Sequence, residues 1–163
     1  MTIFEILKAD HQKVSALFKQ IDATTDRDIE KREAIFEKLQ SEFTAHAAAE
    51  EKTVYAPLKM KDKIHDDVLE AYEEHHIADT LLDEIADLSP TDESWKAKIT
   101  VLKEMVEHHV QEEEGVLFKE MKNNCNKEEL VQMAEDFSAF KKEIGSSDLR
   151  RNDQFDQPGA YLE

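Results

Sequence analysis

The chain has 163 residues, long enough to bury roughly two thirds of its unfolded surface in one core, and it reads as a single domain. Lys and Arg number 21 against 38 Asp and Glu, a net charge of −17 that repels phosphate backbones and anionic lipid, so neither nucleic acid nor a membrane surface is an expected partner. Three Gly and three Pro are too few for the turns of a sandwich or barrel, the one cysteine excludes an intrachain disulfide, and no apolar run nears the ~18 residues of a membrane span.

The opening residues Met1-Thr2-Ile3-Phe4-Glu5 lack the basic and apolar segments of a signal peptide, which makes a reducing cytoplasm the expected location. Caps and prolines then place four long helices. The first covers residues 3 to 22, opened by a capping box of Thr2 and Glu5. Thr24-Thr25-Asp26 breaks it and caps a second helix from 27 to 59, which Pro57 kinks or ends by deleting an amide. The third spans 65 to 88 and stops at Ser89-Pro90-Thr91-Asp92. The fourth spans 92 to 122, with Trp95 as a packing anchor near its start, and closes at Asn123-Asn124. Asn126 caps a shorter fifth helix, 127 to 144, whose Leu130, Met133, Ala134, Phe137 and Phe140 share one face and are expected to pack on the bundle. Residues 145 to 163 read as a mobile polar tail. The predicted fold is all-α: an antiparallel up-down four-helix bundle with a core at 3 to 122 and the added helix completing residues 1 to 144.

The chemistry lies in an internal repeat. An offset of 63 or 64 residues brings Asp10-His11 onto Glu74-His75, and His46 with Glu50-Glu51 onto His109 with Glu113-Glu114. Leu17, Phe18 and Ile21 match Leu81, Leu82 and Ile85, and Tyr55 matches Phe118. Such self-similarity means two helix pairs of one design.

Helical periodicity points the histidines inward. His11 shares its face with Leu7, Val14 and Phe18, His46 with Leu39, Phe43 and Val54, His75 with Val68, Tyr72 and Leu82, and His109 with Leu102, Met105, Val106 and Val116. His76 and His108 are turned away by about 100° and are expected in solvent, as is His65 near a loop. Glu50 and Glu113 each follow an inward histidine by four residues, on the same core stripe. An isolated carboxylate there would cost several kcal/mol to desolvate, and no Lys or Arg shares those stripes. Metal cations resolve the conflict.

Four imidazoles and two carboxylates exceed the needs of one tetrahedral zinc and lack the thiolates of structural zinc sites, so they suit two metals. If both carboxylates bridge, each metal receives two His nitrogens and two oxygens, a set close to that of non-haem iron; manganese and zinc remain open alternatives. An added bridging oxygen would leave about one octahedral position on each iron for dioxygen, peroxide, nitric oxide or azide.

Over residues 3 to about 122 these motifs, His46-Ala47-Ala48-Ala49-Glu50-Glu51, Glu73-Glu74-His75-His76 and His108-His109-Val110-Gln111-Glu112-Glu113-Glu114, together with Asp10-His11, resemble the hemerythrin-like, HHE cation-binding domain family. The resemblance implies an oxo- or hydroxo-bridged non-haem di-iron centre held by His11, His46, Glu50, His75, His109 and Glu113, with the glutamates bridging. Oxygen-carrying hemerythrins have a further histidine four residues after the one matching His75, and here that position is Asp79. Asp79 could replace the ligand, bind through water, or hydrogen-bond a histidine.

Two functional readings stay open. One is a binding or sensing protein that takes up iron, oxygen, nitric oxide or peroxide and signals through the fifth helix or a protein partner of unknown identity. The other, implied by the resemblance, is an enzyme of oxidative or nitrosative stress defence, peroxidase-like or iron-donating; the solitary Cys125 weakens the repair version. A ferritin-like carboxylate site is rejected, because Glu73 and His76 form one Glu-x-x-His pair but Met105 stands at the matching place before His108. Tyr72, one turn before His75, is read as core or as a hydrogen-bond donor to the site.

Overall fold

The computed structural model describes residues 1–145; the expected tail beyond Gly145 lies outside the described residues. Within them every regular element is helical. Helix α1 (Ile3–Asp22) opens with the expected capping box: Glu5 N–H donates to Thr2 Oγ1 at 3.2 Å, and Thr2 N–H donates to the Glu5 carboxylate at 2.7 Å. Helix α2 (Ile29–Glu50) starts two residues later than the expected residue 27. Asp28, not Asp26, stands before it, and its carboxylate reaches back to accept from Thr25 N–H at 2.8 Å, which closes the loop instead of capping the helix.

A π-helical turn, Glu51–Tyr55, joins α2 to α3 (Ala56–Lys59). Pro57 therefore does not end the rod. It falls in the first turn of α3, directly after the wide turn, and costs the rod one backbone donor without breaking it. Helix α4 (His65–Ala86) begins the second pair, and α5 (Glu93–Glu112) follows, capped by Asp92, whose carboxylate accepts Ser94 N–H at 2.8 Å. A second π-helical turn, Glu113–Leu117, leads into α6 (Phe118–Asn124). Helix α7 (Lys127–Gly145) carries the capping box of Asn126 and Glu129, with two bonds of 2.8 Å.

Short connections force consecutive rods to pack antiparallel, α1 on α2 and α4 on α5, and the pairs close into the predicted four-helix bundle. Two apolar clusters fill it. One holds Leu17, Phe18, Leu39, Phe43, Leu82, Trp95 and Leu102; the other holds Ile3, Leu7, Val54, Tyr55, Leu58, Val68 and Phe118. Full burial of each such aliphatic or aromatic side chain contributes roughly 1.5–3 kcal/mol. The inward histidines lie where the clusters meet: His11 falls between Leu7 and Val14, and His46 between Phe43 and Ala49. A polar layer is thus clamped between two apolar ones.

Trp95 is the expected anchor, 1% exposed, with its ring against Phe36 and under the Arg32 guanidinium. Helix α7 packs on α1 and α2 through Met133, Ala134 and Phe137, as its amphipathic pattern predicted. No helix among the described residues is long and apolar enough to cross a membrane.

Candidate metal centre

The six residues singled out from the repeat all come together in the polar layer. His11, His46, His75 and His109 are buried, as are Glu50 and Glu113, the first of them fully. They divide into two groups whose donor atoms lie within 4.8 Å of one another: His11, His46 and Glu113 in one, Glu50, His75 and His109 in the other. Each helix pair therefore meets the glutamate of the opposite pair. Each carboxylate also stands between the groups. Glu50 Oε2 is 3.2 Å from His46 Nε2 and 3.5 Å from His75 Nε2, while Glu113 Oε2 is 3.1 Å from His11 Nε2 and 3.9 Å from His109 Nε2.

Every imidazole is oriented from behind by an acid. Nδ1–H of His46 donates to Asp10 at 3.1 Å, that of His109 to Glu74 at 3.0 Å, that of His75 to Glu51 at 2.9 Å, and that of His11 to Glu114 at 2.8 Å. In each pair Nδ1 is the ring nitrogen turned to the acid and Nε2 the one turned to the middle of the bundle, where Nε2 of His75 and Nε2 of His109 meet at 3.1 Å. These four acids stand in register in the repeat, each one residue from a ligand position, and only the packing of the rods gives them their partners. The signal was there: Asp10 matches Glu74 and Glu51 matches Glu114. The π-helical turns also escaped the sequence. Each starts immediately after or at a core glutamate, and its i to i+5 bonding turns the chain by less than the ~100° per residue of an α-helix. Consecutive acids, Glu50-Glu51 and Glu113-Glu114, can thereby both face the bundle.

The second turn corrects one expected face. Val116 was placed inward seven residues after His109 but is 46% exposed, and Leu117 and Phe118 are buried in its stead, because the wide turn displaces the register by one residue. His76 and His108 are exposed as expected. His65 is half-buried, since its ring bonds the Lys59 carbonyl at 2.8 Å. Asp79 is half-buried and stands outside both groups. Tyr72 gives its hydroxyl to the Glu51 carbonyl at 3.2 Å, whereas Tyr55 is the tyrosine that reaches the site. Its hydroxyl donates to Glu113 Oε1 at 2.9 Å, and its ring stacks on His75 with centroids 5.3 Å apart.

Several buried atoms here have no hydrogen-bond partner: Nε2 of His11 and of His46, both oxygens of Glu50, and Oε2 of Glu113. Their close approaches at 3.1 to 3.2 Å lack hydrogen-bond alignment. An unpaired buried carboxylate is costly. The protonation pattern reflects that conflict. Burial pulls the His46 imidazolium down, but the carboxylates of Glu50 and Asp10 outweigh it and push the ring up to about 10. Burial and then the neighbouring His109 drop His75 to about 3. Burial would raise Glu113, yet His11 and His109 hold it well below the usual carboxylate range, and burial with the same acids pushes the Tyr55 phenol up. Six carboxylates and four imidazoles, with Nε2 atoms that converge and carboxylate oxygens that lack partners, fit hard-to-intermediate cations of the iron, manganese or zinc class.

Comparison with known proteins places the chain in a family of cation-binding domains. The chain is 33% identical over 144 residues to a protein of Nostoc sp. (strain PCC 7120) named DNA nickase, an alignment that covers 88% of this chain and 40% of that one. The chain thus spans well under half the length of that curated relative. No solved structure gives a significant match. The family model for the hemerythrin HHE cation binding domain matches residues 2–121, about three quarters of the chain and every one of the inward histidines and glutamates, and the chain belongs to that family.

Proposed function

We propose that residues 1 to 144 form one metal-binding unit whose two groups each hold an iron ion, with His11, His46, Glu50, His75, His109 and Glu113 as ligands and both glutamates shared. Its proposed work is to bind or sense a small molecule, oxygen, nitric oxide or peroxide, or to handle iron. The observation that carries the reading is Glu50, fully buried with both oxygens unpartnered and flanked by Nε2 of His46 and His75. A cation shared across the two groups would satisfy both oxygens of that carboxylate, which has no Lys or Arg beside it.

When bound, an iron pair supplies open coordination positions and one-electron chemistry to a small ligand. The chain supplies the rest. Asp10, Glu51, Glu74 and Glu114 hold the imidazoles in the Nε2-facing tautomer. Tyr55 fixes Glu113 by donating to Oε1, which leaves Oε2 for the centre. Phe43, whose ring meets His75 edge-on, and Phe137, against His46, keep bulk water from the donors. With Asp79 outside both groups and the glutamates shared, each ion would have two imidazoles and two carboxylates from the chain, which leaves room for a small molecule.

The enzymatic reading, stress defence by peroxide reduction or iron donation, uses the same donors and is separated by turnover. The name of the Nostoc relative is not carried over, because a net charge of −17 opposes a phosphate backbone. The test is metal analysis of protein made in iron-rich medium, with absorption spectra before and after azide. Two irons per chain and azide-sensitive charge-transfer bands support the reading; a single zinc, or no metal after anaerobic iron loading, overturns it.

A further inference from the structure

A cation bound at the buried donors has to cross the wall of the bundle, and the two sides of that wall differ. On the α1 and α2 side the way is shut. Helix α7 lies there, Phe137 meets the His46 ring at 5.8 Å, and the Lys141 ammonium sits 2.6 Å from Asp10, where it repels an incoming cation. On the opposite side, a cleft between α4 and the rod of α5 and α6 runs inward to His109 and Glu113.

The charged side chains of that cleft are of one sign. Asp67, Glu70 and Glu74 project from α4 at i, i+3 and i+7, one face of the helix, and Glu112 faces them, with no Lys or Arg in the lining. They form a gradient of burial: Asp67, Glu70 and Glu112 are exposed, Glu74 is half-buried, and Glu113 at the inner end is 3% exposed. The inner end is what makes this more than an acidic surface. Glu113 lines the cleft beside the buried ring of His109, and its Oε2 is a buried acceptor without a hydrogen-bond partner. Same-sign charge in a low-dielectric cleft concentrates counter-ions and raises association rates by about 10 to 10³, an effect that salt screens.

We propose that this cleft is the entry path for divalent cations, with Glu70 and Glu112 as the outer capture site and Glu113 as the first inner ligand. The inference rests on the metal-centre reading above. A cation arriving at Glu70 and Glu112 is held by exposed carboxylates, so it is held weakly, and passes inward to the partly buried Glu74 and then to Glu113 and His109.

The test is stopped-flow mixing of the metal-free full chain with cobalt(II), whose visible bands report ligation, followed by titration to equilibrium. In E70Q/E112Q the association rate should fall about ten-fold at low salt and approach the wild-type rate at high salt, with stoichiometry and final spectrum unchanged. The charge-matched control E128Q/E135Q, on exposed positions of α7, should alter the rate far less. Equal slowing in the control would mean that net charge alone steers the ion, and the entry path is overturned. Faster uptake in K141Q with an unchanged rate in E70Q/E112Q would place the route under α7 and also overturn it. Wild-type protein that takes up no cobalt at equilibrium overturns the metal centre itself, whereas normal uptake with unaltered rates in E70Q/E112Q overturns only the path.

Discussion

The two halves of the candidate centre have matching donors and unlike surroundings. His11 and His46 sit under α7: Phe137 touches the His46 ring, Lys141 neutralises Asp10, and Lys52 lies over Phe140. His75 and His109 have no such roof. Tyr55 and Phe43 back His75, and the acid behind His109, Glu74, borders an open cleft. The repeat placed the same residue types in both halves, but one added helix covers the first with Phe137 and seats Lys141 on its acid, while the second adjoins a cleft lined by carboxylates. Local sequence symmetry therefore does not make two equivalent positions; the charges and side chains laid over each half do the distinguishing.

The most severe test removes a donor outright. His11→Ala and Glu113→Ala should each abolish stoichiometric loading, and with it the metal-dependent stabilisation, about 4 kcal/mol when metal is ~1,000-fold above Kd. Thermal melts with and without metal measure this, and coincident melts are the expected result for the variants.

A subtler pair of substitutions addresses the asymmetry directly. Asp10→Asn should weaken metal affinity by about 100-fold, and Glu74→Gln by about 10-fold, the two ends of the usual range for acids that orient ligating histidines. Asp10 is 6% exposed and its loss strands the Lys141 ammonium, while water can reach the place of Glu74. Equal losses in competitive titration would show that the two halves are equivalent after all.

Tyrosine replacement sharpens the comparison further. Tyr55→Phe leaves Glu113 Oε1 without its donor and should cost about 1–3 kcal/mol in denaturant melts of the loaded protein. Tyr72→Phe loses a bond of 3.2 Å to a backbone carbonyl in a half-buried position and should cost less than about 1 kcal/mol. The smallest effects belong to His76→Ala and His108→Ala, exposed neighbours of the ligands, each expected within about 0.5 kcal/mol in stability and without change in metal content. Metal loss from His76→Ala would mean that the rotation of α4 is misassigned.

Much of this was open to reading along the chain because it is local. Helix number, the capping boxes at Thr2 and Asn126, and the inward stripe of His11, His46, His75 and His109 follow from the 3.6-residue period and from side chains bonding amides three residues away. The repeat then set His and Glu four residues apart, and burial energetics demanded a cation. Tertiary structure decided the rest. Which glutamate meets which histidines is a matter of how the helix pairs cross, so Glu113 joins His11 and His46 rather than its own His109 and His75. The same crossing brings Glu51 to His75 and Glu114 to His11, contacts between residues 24 and 103 positions apart that no local period encodes. The π-helical turns and the seating of Lys141 on Asp10, 131 residues away, likewise depend on packing between rods. Periodicity orients a side chain on its own helix, whereas its partner is chosen only when the helices are assembled and their relative rotation is set.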